Sequence, residues 1–341
     1  MPRVVLAPDK FRGTADAAQV AGAMAAAADR VGWDTTVRPM SDGGEGFLDV
    51  AAERCPSLVS TTVTGPHGRP VAAEWRFGDG LAVVEAARAS GLTLAGGAAG
   101  NDPVAATSRG TGELIVAAAR QVGPGGTVVV GLGGSATTDG GLGAVDAVGE
   151  AGVLAGVELI GACDVDVGFV EAALRFGPQK GAGADQVVEL TERLVELVEL
   201  YRDRYGVDVA STPRAGAAGG LGGGLLVLGG TLVSGFQVAS DLVDLPGALD
   251  RADRVVTGEG ALDAMSFVGK LVGGVVAAAR ARRLPTLVVA GRSTAEGEEW
   301  ARDAGCHVVS LTARFGRRAA MDQTGARIGE VTADWLRATG E

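Results

Sequence analysis

Five short segments of this 341-residue chain combine acidic or hydroxyl side chains with glycine, and each lies at the end of an apolar run that predicts a β-strand. Ligands of open parallel sheets bind beyond the carboxyl ends of the strands. We therefore expect the five segments to lie at one edge of a sheet, although a tight turn is the better explanation for any one of them taken alone. The segments are Asp9–Gly13, Ser41–Gly46, Gly131–Asp139, Ala162–Asp166 and Thr257–Asp263.

The segment within GLGGSATTDGG is the one most typical of a phosphate site. Gly133 and Gly134 leave backbone N–H groups accessible, and Ser135 and Thr137 add hydroxyl donors before a predicted helix N-terminus. The same letters fit a loose dinucleotide fingerprint, which keeps a dinucleotide-dependent oxidoreductase open as an alternative. That alternative lacks the acidic residue about 20 positions later that ribose binding requires, and the sequence contains no Walker A loop.

Carboxylates and rare lysines favour metal-assisted phosphoryl transfer. Mg²⁺ is usually held by one or two carboxylates together with substrate phosphates, and a carboxylate near the attacking hydroxyl completes such a site. Lysine supplies only three of the 30 basic residues, and its compact ammonium suits a phosphate. N-capping or turn closure is the competing interpretation for an aspartate, and we assign a role of this kind to Asp16 and Asp146. The candidate carboxylates are Asp42, Glu45, Asp164, Asp166, Glu259 and Asp263, and the lysines are Lys10, Lys180 and Lys270.

Composition excludes several classes of protein. A formal net charge of −11 argues against a nucleic-acid partner, which requires a basic face. Two histidines argue against a multi-histidine zinc site, and three cysteines outside any metal-ligand spacing fit the reducing cytoplasm. The first residues already predict a strand, which leaves no room for a signal peptide. The uncharged stretch Ala215–Ser240 is too rich in glycine for a membrane helix, and we predict a buried helix followed by a strand there.

The elements that must position these segments predict an α/β fold. Apolar runs alternate with alanine-rich helical stretches, as in right-handed βαβ units with a mostly parallel sheet. Two stretches break this rhythm: Val59–Ala87 reads as three strands joined by turns, and Val157–Ser240 contains the long charged helix Ala184–Tyr205. We predict a Rossmann/flavodoxin-like core domain over residues 1–58, 110–150 and 250–341. A second, inserted mixed α/β domain is expected over residues 59–109 and 151–249, with the active site in the cleft between the two domains.

The pattern also predicts individual elements of the core. The expected strands are Arg3–Ala7, Thr35–Pro39, Thr127–Gly131, Arg254–Thr257, Thr286–Ala290 and His307–Leu311. The expected helices are Ala15–Val31, Gly112–Val122, Gly140–Val148, Val268–Arg282 and Met321–Ala338.

Taken together, the segments resemble the bacterial glycerate kinase family of the type with two α/β domains. The resemblance rests on motifs in the family's order, among them APDKFRGT, PMSDGGEGFLD, SRGTGELI, GLGGSATTDGGLG, ACDVDV, FGPQKGA and VTGEGALD. It implies transfer of the γ-phosphoryl group of ATP to D-glycerate, giving 2-phosphoglycerate, or 3-phosphoglycerate by an older description. ATP, Mg²⁺ and a small hydroxy acid are the implied ligands, and a homodimer is left open.

The resemblance also implies roles for individual residues. The catalytic residues would be Asp42, Asp164, Lys180 and Lys270. The nucleotide would be bound by Gly133, Gly134, Ser135, Thr137 and Glu259, and Mg²⁺ by Asp164 and Glu259. The substrate would be bound by Asp9, Arg12 and Arg109, with a bidentate fork from Arg109 to the glycerate carboxylate.

Several positions depart from the family pattern. Lys10 replaces a usual serine, and Arg12 replaces a usual lysine. Ala261 and Met265 replace a usual arginine and glutamine, and the loop after Asp166 is shortened. These departures keep two alternatives open, a kinase of another small 2-hydroxy acid and a nucleotide-binding paralogue with weak or no catalysis.

Overall fold

A computed structural model describes residues 1–267 and 270–338 of the chain, which forms two compact units. Unit 1 contains Met1–Ser41 and the chain from Ala239 onward, and unit 2 is the continuous segment Asp42–Val238. The second unit is thus inserted between two parts of the first. This confirms the predicted α/β fold with an inserted domain.

Unit 1 is built on a five-stranded parallel sheet. Val4, Val5 and Leu6 of its first strand, an interior strand of the sheet, are fully buried, as expected where helices cover both faces of a parallel sheet. The order β11-β10-β9-β1-β2 is the flavodoxin-like order, in which the direction of winding changes between β1 and β9. The strands are β1 (Arg3–Leu6), β2 (Asp34–Val37), β9 (Arg254–Leu262), β10 (Thr286–Ser293) and β11 (His307–Ser310).

Helices of unit 1 pack their apolar faces on this sheet. Helix α1 begins with a capping box, in which Asp16 accepts from the backbone N–H of Gln19 and the Gln19 side chain accepts from that of Asp16. Asp16 is therefore a structural cap, as expected from the sequence. The helices are α1 (Ala17–Arg30), α11 (Leu245–Leu249), α12 (Leu271–Ala281), α13 (Ala295–Asp303), α14 (Leu311–Phe315), α15 (Arg317–Asp322) and α16 (Thr324–Ala338), with a 3₁₀ turn at Ala264–Phe267. Helix α10 (Gly235–Leu242) crosses the chain boundary between the units.

Unit 2 contains a six-stranded mixed sheet in the order β3-β4-β5-β6-β7-β8. The first three strands pair antiparallel, whereas the pairs from β5 to β8 are parallel. The antiparallel strands confirm the prediction for Val59–Ala87. The strands are β3 (Ser57–Thr64), β4 (Pro70–Gly78), β5 (Leu81–Glu85), β6 (Thr127–Gly131), β7 (Glu158–Ala162) and β8 (Thr231–Val233).

The helices of unit 2 include the long charged helix, which spans the predicted residues. Leu190, Leu194, Leu197 and Tyr201 form its buried stripe, while its charged residues face solvent. The helices are α2 (Phe47–Val50), α3 (Ala86–Ser90), α4 (Gly97–Gly100), α5 (Arg109–Val122), α6 (Leu142–Ala151), α7 (Glu171–Phe176), α8 (Ala184–Tyr205) and α9 (Ala217–Val227), with a 3₁₀ turn at Pro178–Lys180. In the described part of the chain, no helix has both the length and the apolar character needed to cross a membrane.

The observed units differ from the predicted domain boundaries. Residues 42–58 and 110–150 lie in unit 2 rather than in the parallel core, and residues 239–249 lie in unit 1. The physical reason is that β6 is a buried apolar strand that pairs with β5 and β7. An apolar run of this kind reports burial on both faces but does not specify which of two sheets it joins.

The prediction that all five glycine-rich segments share one sheet edge is wrong. Gly131–Asp139 and Ala162–Asp166 follow strands of the unit 2 sheet, whereas Asp9–Gly13 and Thr257–Asp263 belong to the unit 1 sheet. The last segment is mostly strand rather than turn, because β9 continues to Leu262 and stays paired with β10. The predicted helix start at Val268 lies outside the described residues, and α12 begins at Leu271.

Candidate active site

The glycine loop after β6 is folded tightly against the segment that carries Asp42. The backbone N–H of Gly133 donates to the carbonyl of Gly43 at 3.1 Å, and a Cβ on Gly133 would stand 2.4 Å from the Gly44 Cα. Glycine is therefore required at position 133 for backbone-to-backbone contact. The same bond shows that one N–H expected for a phosphate is used inside the protein.

A second contact holds the far end of this loop. Gly219 has a φ of +71°, and a Cβ there would lie 1.9 Å from the carbonyl oxygen of Thr137. Asp139 accepts from the backbone N–H of Ser108 at 2.7 Å and from its hydroxyl at 2.8 Å. Asp139 ends the predicted segment Gly131–Asp139, but its supporting contact with Ser108 is not evident from the sequence, because the two residues lie 31 positions apart and only the fold brings them together.

Lys180 lies beneath the loop as a buried cation. Its ammonium donates to the Ser135 hydroxyl at 3.0 Å and to the Thr137 carbonyl at 2.6 Å, and the residue is only 4% exposed. Burial lowers the pKa of the Lys180 ammonium to about 7, and the negative charge of Asp139 offsets part of that effect. In its protonated form, Lys180 gives the loop a positive centre at the side facing the protein.

Asn101 joins the loop to the lysine segment. Its side-chain amide donates to the carbonyl of Ala136 at 3.1 Å and to the carbonyl of Lys180 at 2.8 Å. These two bonds fix the spacing between the loop and the backbone that carries the ammonium. No signal in the sequence identifies this role, since Asn101 follows four residues of a short helix and reads as a turn residue.

Asp164 and Asp42 form a carboxylate pair beside the loop. Asp164 follows β7, and its Oδ1 accepts from the Ser234 hydroxyl at 2.9 Å and from the backbone N–H of Phe236 at 3.2 Å. Burial raises the pKa of the Asp164 carboxyl, the two hydrogen bonds counter that shift, and the nearby charge of Asp42 adds to it. A partly buried carboxyl, that of Asp164, therefore lies within electrostatic range of the exposed carboxylate of Asp42.

The pair fits a divalent cation. Oδ2 of Asp164 is buried and has no hydrogen-bond partner among the described residues, which is a costly state for an ionised oxygen. Asp42 is exposed, and its Oδ1 accepts from the backbone N–H of Gly44. Two carboxylates completed by substrate phosphates are the usual protein contribution to Mg²⁺ binding. Residues 1–267 and 270–338 contain no cluster of three or more metal-binding side chains. A cation bound here would therefore need further ligands, such as substrate phosphates.

Four further candidates lie in unit 1, at the carboxyl end of its sheet. Asp9 follows β1 and accepts from the backbone N–H of Lys10 at 2.7 Å, while Glu259 lies half-buried in β9. Arg12 is exposed in the loop after β1, and Lys270 is the N-cap residue of α12. Asp9 and Arg12 thus follow β1, and Glu259 lies in the adjacent strand β9. These residues lie on either side of the point where the strand order reverses.

Arg109 is engaged differently from the other candidates. It begins α5, and its guanidinium pairs with Glu150 at 2.6 Å and with Glu113 at 3.3 Å. The hydrogen bonds and charges of these two carboxylates raise the pKa of Arg109, with Glu150 the larger influence. The fork expected for a substrate carboxylate is therefore occupied by protein carboxylates, which favours a structural role.

We predict that Arg109→Gln leaves the KM for D-glycerate within about threefold of the parent value, since a lost bidentate contact to substrate would cost more. The measurement is steady-state kinetics with D-glycerate varied at saturating ATP. An increase in KM of tenfold or more would instead place the guanidinium on the substrate.

Comparison with known proteins places the chain in a family. The model of the glycerate kinase family matches residues 4–153 and 150–339. The chain is 36% identical over 335 residues to glycerate 2-kinase of Escherichia coli (strain K12), covering 86% of each chain. It is also 36% identical over 326 residues to glycerate kinase of Bacillus subtilis (strain 168), covering 85% of each.

The solved structures agree with these matches. A crystal structure from Salmonella typhimurium LT2, of a protein described as glycerate kinase 2, superposes with a TM-score of 0.82. The two chains are 29% identical, and the match covers 99% of this chain and 98% of the other. These findings favour the kinase over the oxidoreductase interpretation of the glycine loop. The chain belongs to the glycerate kinase family of phosphotransferases.

Proposed function

We propose that the chain transfers the γ-phosphoryl group of ATP to D-glycerate, with 2-phosphoglycerate as the product and Mg²⁺ as the metal. The observation that carries the proposal is the buried, unsatisfied Oδ2 of Asp164 beside Asp42, next to a glycine loop with an ammonium beneath it. Family membership supports glycerate as the acceptor, and the name of the Escherichia coli relative supports the 2-position.

Asp164 and Asp42 would hold Mg²⁺. When bound there, the ion would neutralise developing charge on the phosphoryl oxygens. The hydrogen bonds from Ser234 and Phe236 fix the Asp164 carboxylate, so that its second oxygen is directed without reorganisation. Glu259, expected as a metal ligand from the resemblance, lies in unit 1 and is proposed for the nucleotide.

The glycine loop would bind phosphate through Gly133, Gly134, Ser135 and Thr137. Lys180 would act indirectly. Its ammonium donates to the Ser135 hydroxyl and the Thr137 carbonyl, and it adds positive potential under the loop. A charge in this low-dielectric setting is worth more than the same charge in water. Lys180 is therefore proposed as a positioning residue.

The acceptor side of the reaction is assigned to Asp9, Arg12 and Lys270. A carboxylate such as Asp9 would accept the proton of the attacking hydroxyl, while the new O–P bond forms and the bond from the γ-phosphorus to the bridging oxygen of ADP breaks. Arg12 would hold the acid by its carboxylate. Lys270 would neutralise charge on the transferred group.

A panel assay tests the proposal directly. ADP release is followed with D-glycerate, L-glycerate, tartronate and related 2-hydroxy acids, with and without Mg²⁺, and ³¹P NMR identifies the product. Mg²⁺-dependent turnover of D-glycerate to 2-phosphoglycerate is the expected result. Release of ADP only with another acid would establish the alternative substrate that Ala261 and Met265 suggest, and ATP binding without turnover of any acid would establish a non-catalytic paralogue.

Two further expectations accompany this proposal. A cytoplasmic location is consistent with three free, buried cysteines, whose thiol pKa values burial raises to about 11, 12 and 11 for Cys55, Cys163 and Cys306. Such thiols resist oxidation because the reactive thiolate is suppressed. A homodimer stays a prediction, which light scattering of the purified chain would test. The expectation of no nucleic-acid or membrane partner also stays a prediction.

A further inference from the structure

A cavity of about 360 Å³ opens within unit 1 at the carboxyl end of its sheet. Three arginines from separate parts of the chain line it: Arg12 from the loop after β1, Arg292 from β10 and Arg317 from the first turn of α15. Its volume is in the range typical of small-ligand sites. The remaining lining residues are Phe11, Thr14, Gly260, Gly291, Thr312, Ala320 and Met321. We call this cavity the arginine pocket.

The position of the arginine pocket favours a ligand. In doubly wound sheets, ligands bind outside the carboxyl ends of the strands where the strand order reverses. Here that point lies between β1 and β9, and the pocket is lined by Arg12 after β1 and Gly260 of β9. The rim is held in place by the Thr312 hydroxyl, which donates to the Gly291 carbonyl at 2.7 Å.

The three arginines are exposed, and their guanidinium groups are available to a ligand. Within residues 1–267 and 270–338, neither Arg12, Arg292 nor Arg317 forms an ion pair or a side-chain hydrogen bond. The neighbouring Arg318 does not line the pocket, and its guanidinium pairs with Asp322 at 3.4 Å. Three positively charged residues in the wall of one cavity repel one another, and a bound anion would offset that repulsion. In a chain of net charge −11, such a pocket also concentrates anions locally.

The charge of the pocket indicates the class of anion. A monocarboxylate such as glycerate carries one negative charge and would neutralise one guanidinium. An acid that carries both a phosphate and a carboxylate has a charge of about −2.5 to −3 at neutral pH, because a phosphate monoester contributes about −1.5 to −2 and the carboxylate about −1. Guanidinium forks bind both groups in the same bidentate geometry. Phe11, Ala320 and Met321 add an apolar surface that suits a short carbon chain.

We propose that the arginine pocket binds a phosphorylated three-carbon hydroxy acid, with Arg292 and Arg317 as the residues that distinguish it from the unphosphorylated acid. The identity of the ligand rests on the proposed function, since such an acid is its product. The pocket would therefore hold the acid more tightly after phosphoryl transfer than before it. Product inhibition by the phosphorylated acid follows from this difference in affinity.

Calorimetry with the full chain tests the inference without requiring turnover. 2-Phosphoglycerate, 3-phosphoglycerate, D-glycerate, inorganic phosphate and ADP are titrated at constant ionic strength into the parent chain and into Arg292→Gln, Arg317→Gln and Arg318→Gln. We expect Arg292→Gln and Arg317→Gln each to weaken phosphoglycerate binding about tenfold or more, as expected for a lost charge-assisted contact. The matched control Arg318→Gln should stay within about twofold, since its exposed pair with Asp322 contributes little.

Each outcome bears on the inference. No binding of either phosphoglycerate, or binding that both pocket variants leave unchanged, would overturn it. A loss of ADP affinity as large as the loss of phosphoglycerate affinity would overturn it in favour of a nucleotide site. Weakened phosphoglycerate binding in a chain that does not phosphorylate glycerate would support the pocket while refuting the proposed function. Arg317→Lys keeps the charge but not the fork, and an intermediate affinity is expected for it.

Discussion

Asp164→Asn is expected to lower kcat/KM for D-glycerate by about 10²- to 10³-fold, the range seen when one preorganised electrostatic contact to a transition state is lost. The asparagine oxygen can still accept from Ser234 and Phe236, so the loop geometry is retained. What disappears is the negative charge at the buried Oδ2, which a divalent cation requires. The measurement is the coupled ADP assay over a range of Mg²⁺ concentrations.

The neighbouring carboxylate provides the control. Asp166 lies two residues further along and is exposed, so Asp166→Asn should retain activity within about twofold, as surface substitutions usually do. Asp164→Asn should not lower the melting temperature, because it removes a desolvated charge next to Asp42. Full activity in Asp164→Asn would remove the carboxylate pair from the mechanism.

Lys180→Met is expected to reduce kcat/KM by about 10²-fold, because the loop loses its buried charge and two of its hydrogen bonds. Methionine fills a similar volume, which limits the cavity cost. Arg175→Met, an exposed cation on the preceding helix, is the matched control and should retain activity. Equal activity in Lys180→Met and Arg175→Met would contradict the prediction and would show that Lys180 contributes only packing.

The same variant predicts a pH-dependent change in stability. Burial lowers the pKa of Lys180 from 10.5 to about 7, so between these values the unfolded chain holds a proton that the folded chain has lost. Stability therefore rises with pH across this window, by at most about 1.4 kcal/mol per pH unit. The buried-charge penalty is fully present below pH 7. The melting temperature of the parent chain relative to Lys180→Met should increase from pH 7 to pH 9.5, and a constant difference would contradict the buried charge.

Much of the fold could be predicted from local pattern. β6 was predicted with its observed bounds because glycine brackets an uninterrupted valine run, and α8 because Gly183 and Gly206 bound an amphipathic stripe. β9 was predicted too short because GEGAL has the composition of a turn. Its extension depends on pairing with β10, a non-local contact that periodicity does not report.

The site was predictable to the extent that its chemistry lies in compact motifs. Asp42, Asp164, Lys180 and the glycine loop could be nominated because carboxylates, lysine and glycine at strand ends have few other uses together. Their assigned roles stay predictions.

Arg292 could not be nominated, because its relevance depends on strand register. Ala261 stands where the family resemblance suggests an arginine. Arg292 is the Cα partner of Ala261 on the neighbouring strand. Side chains of register partners point to the same face of a sheet. An arginine that is absent from one strand can thus be replaced by an arginine on the neighbouring strand. A single sequence does not show which strands are neighbours, so it does not reveal this replacement.

The insertion of unit 2 has a consequence for synthesis of the chain. β1 pairs with β2, about 30 residues away, and with β9, about 250 residues away. When the ribosome has completed unit 2, three of the five strands of unit 1 have not yet been made. Unit 2 is continuous and can begin to fold as it emerges, as domains generally do during synthesis. The first 41 residues contain both β1 and β2, but the other edge of β1 has no partner until β9 is made, and this apolar edge requires protection from aggregation in the meantime.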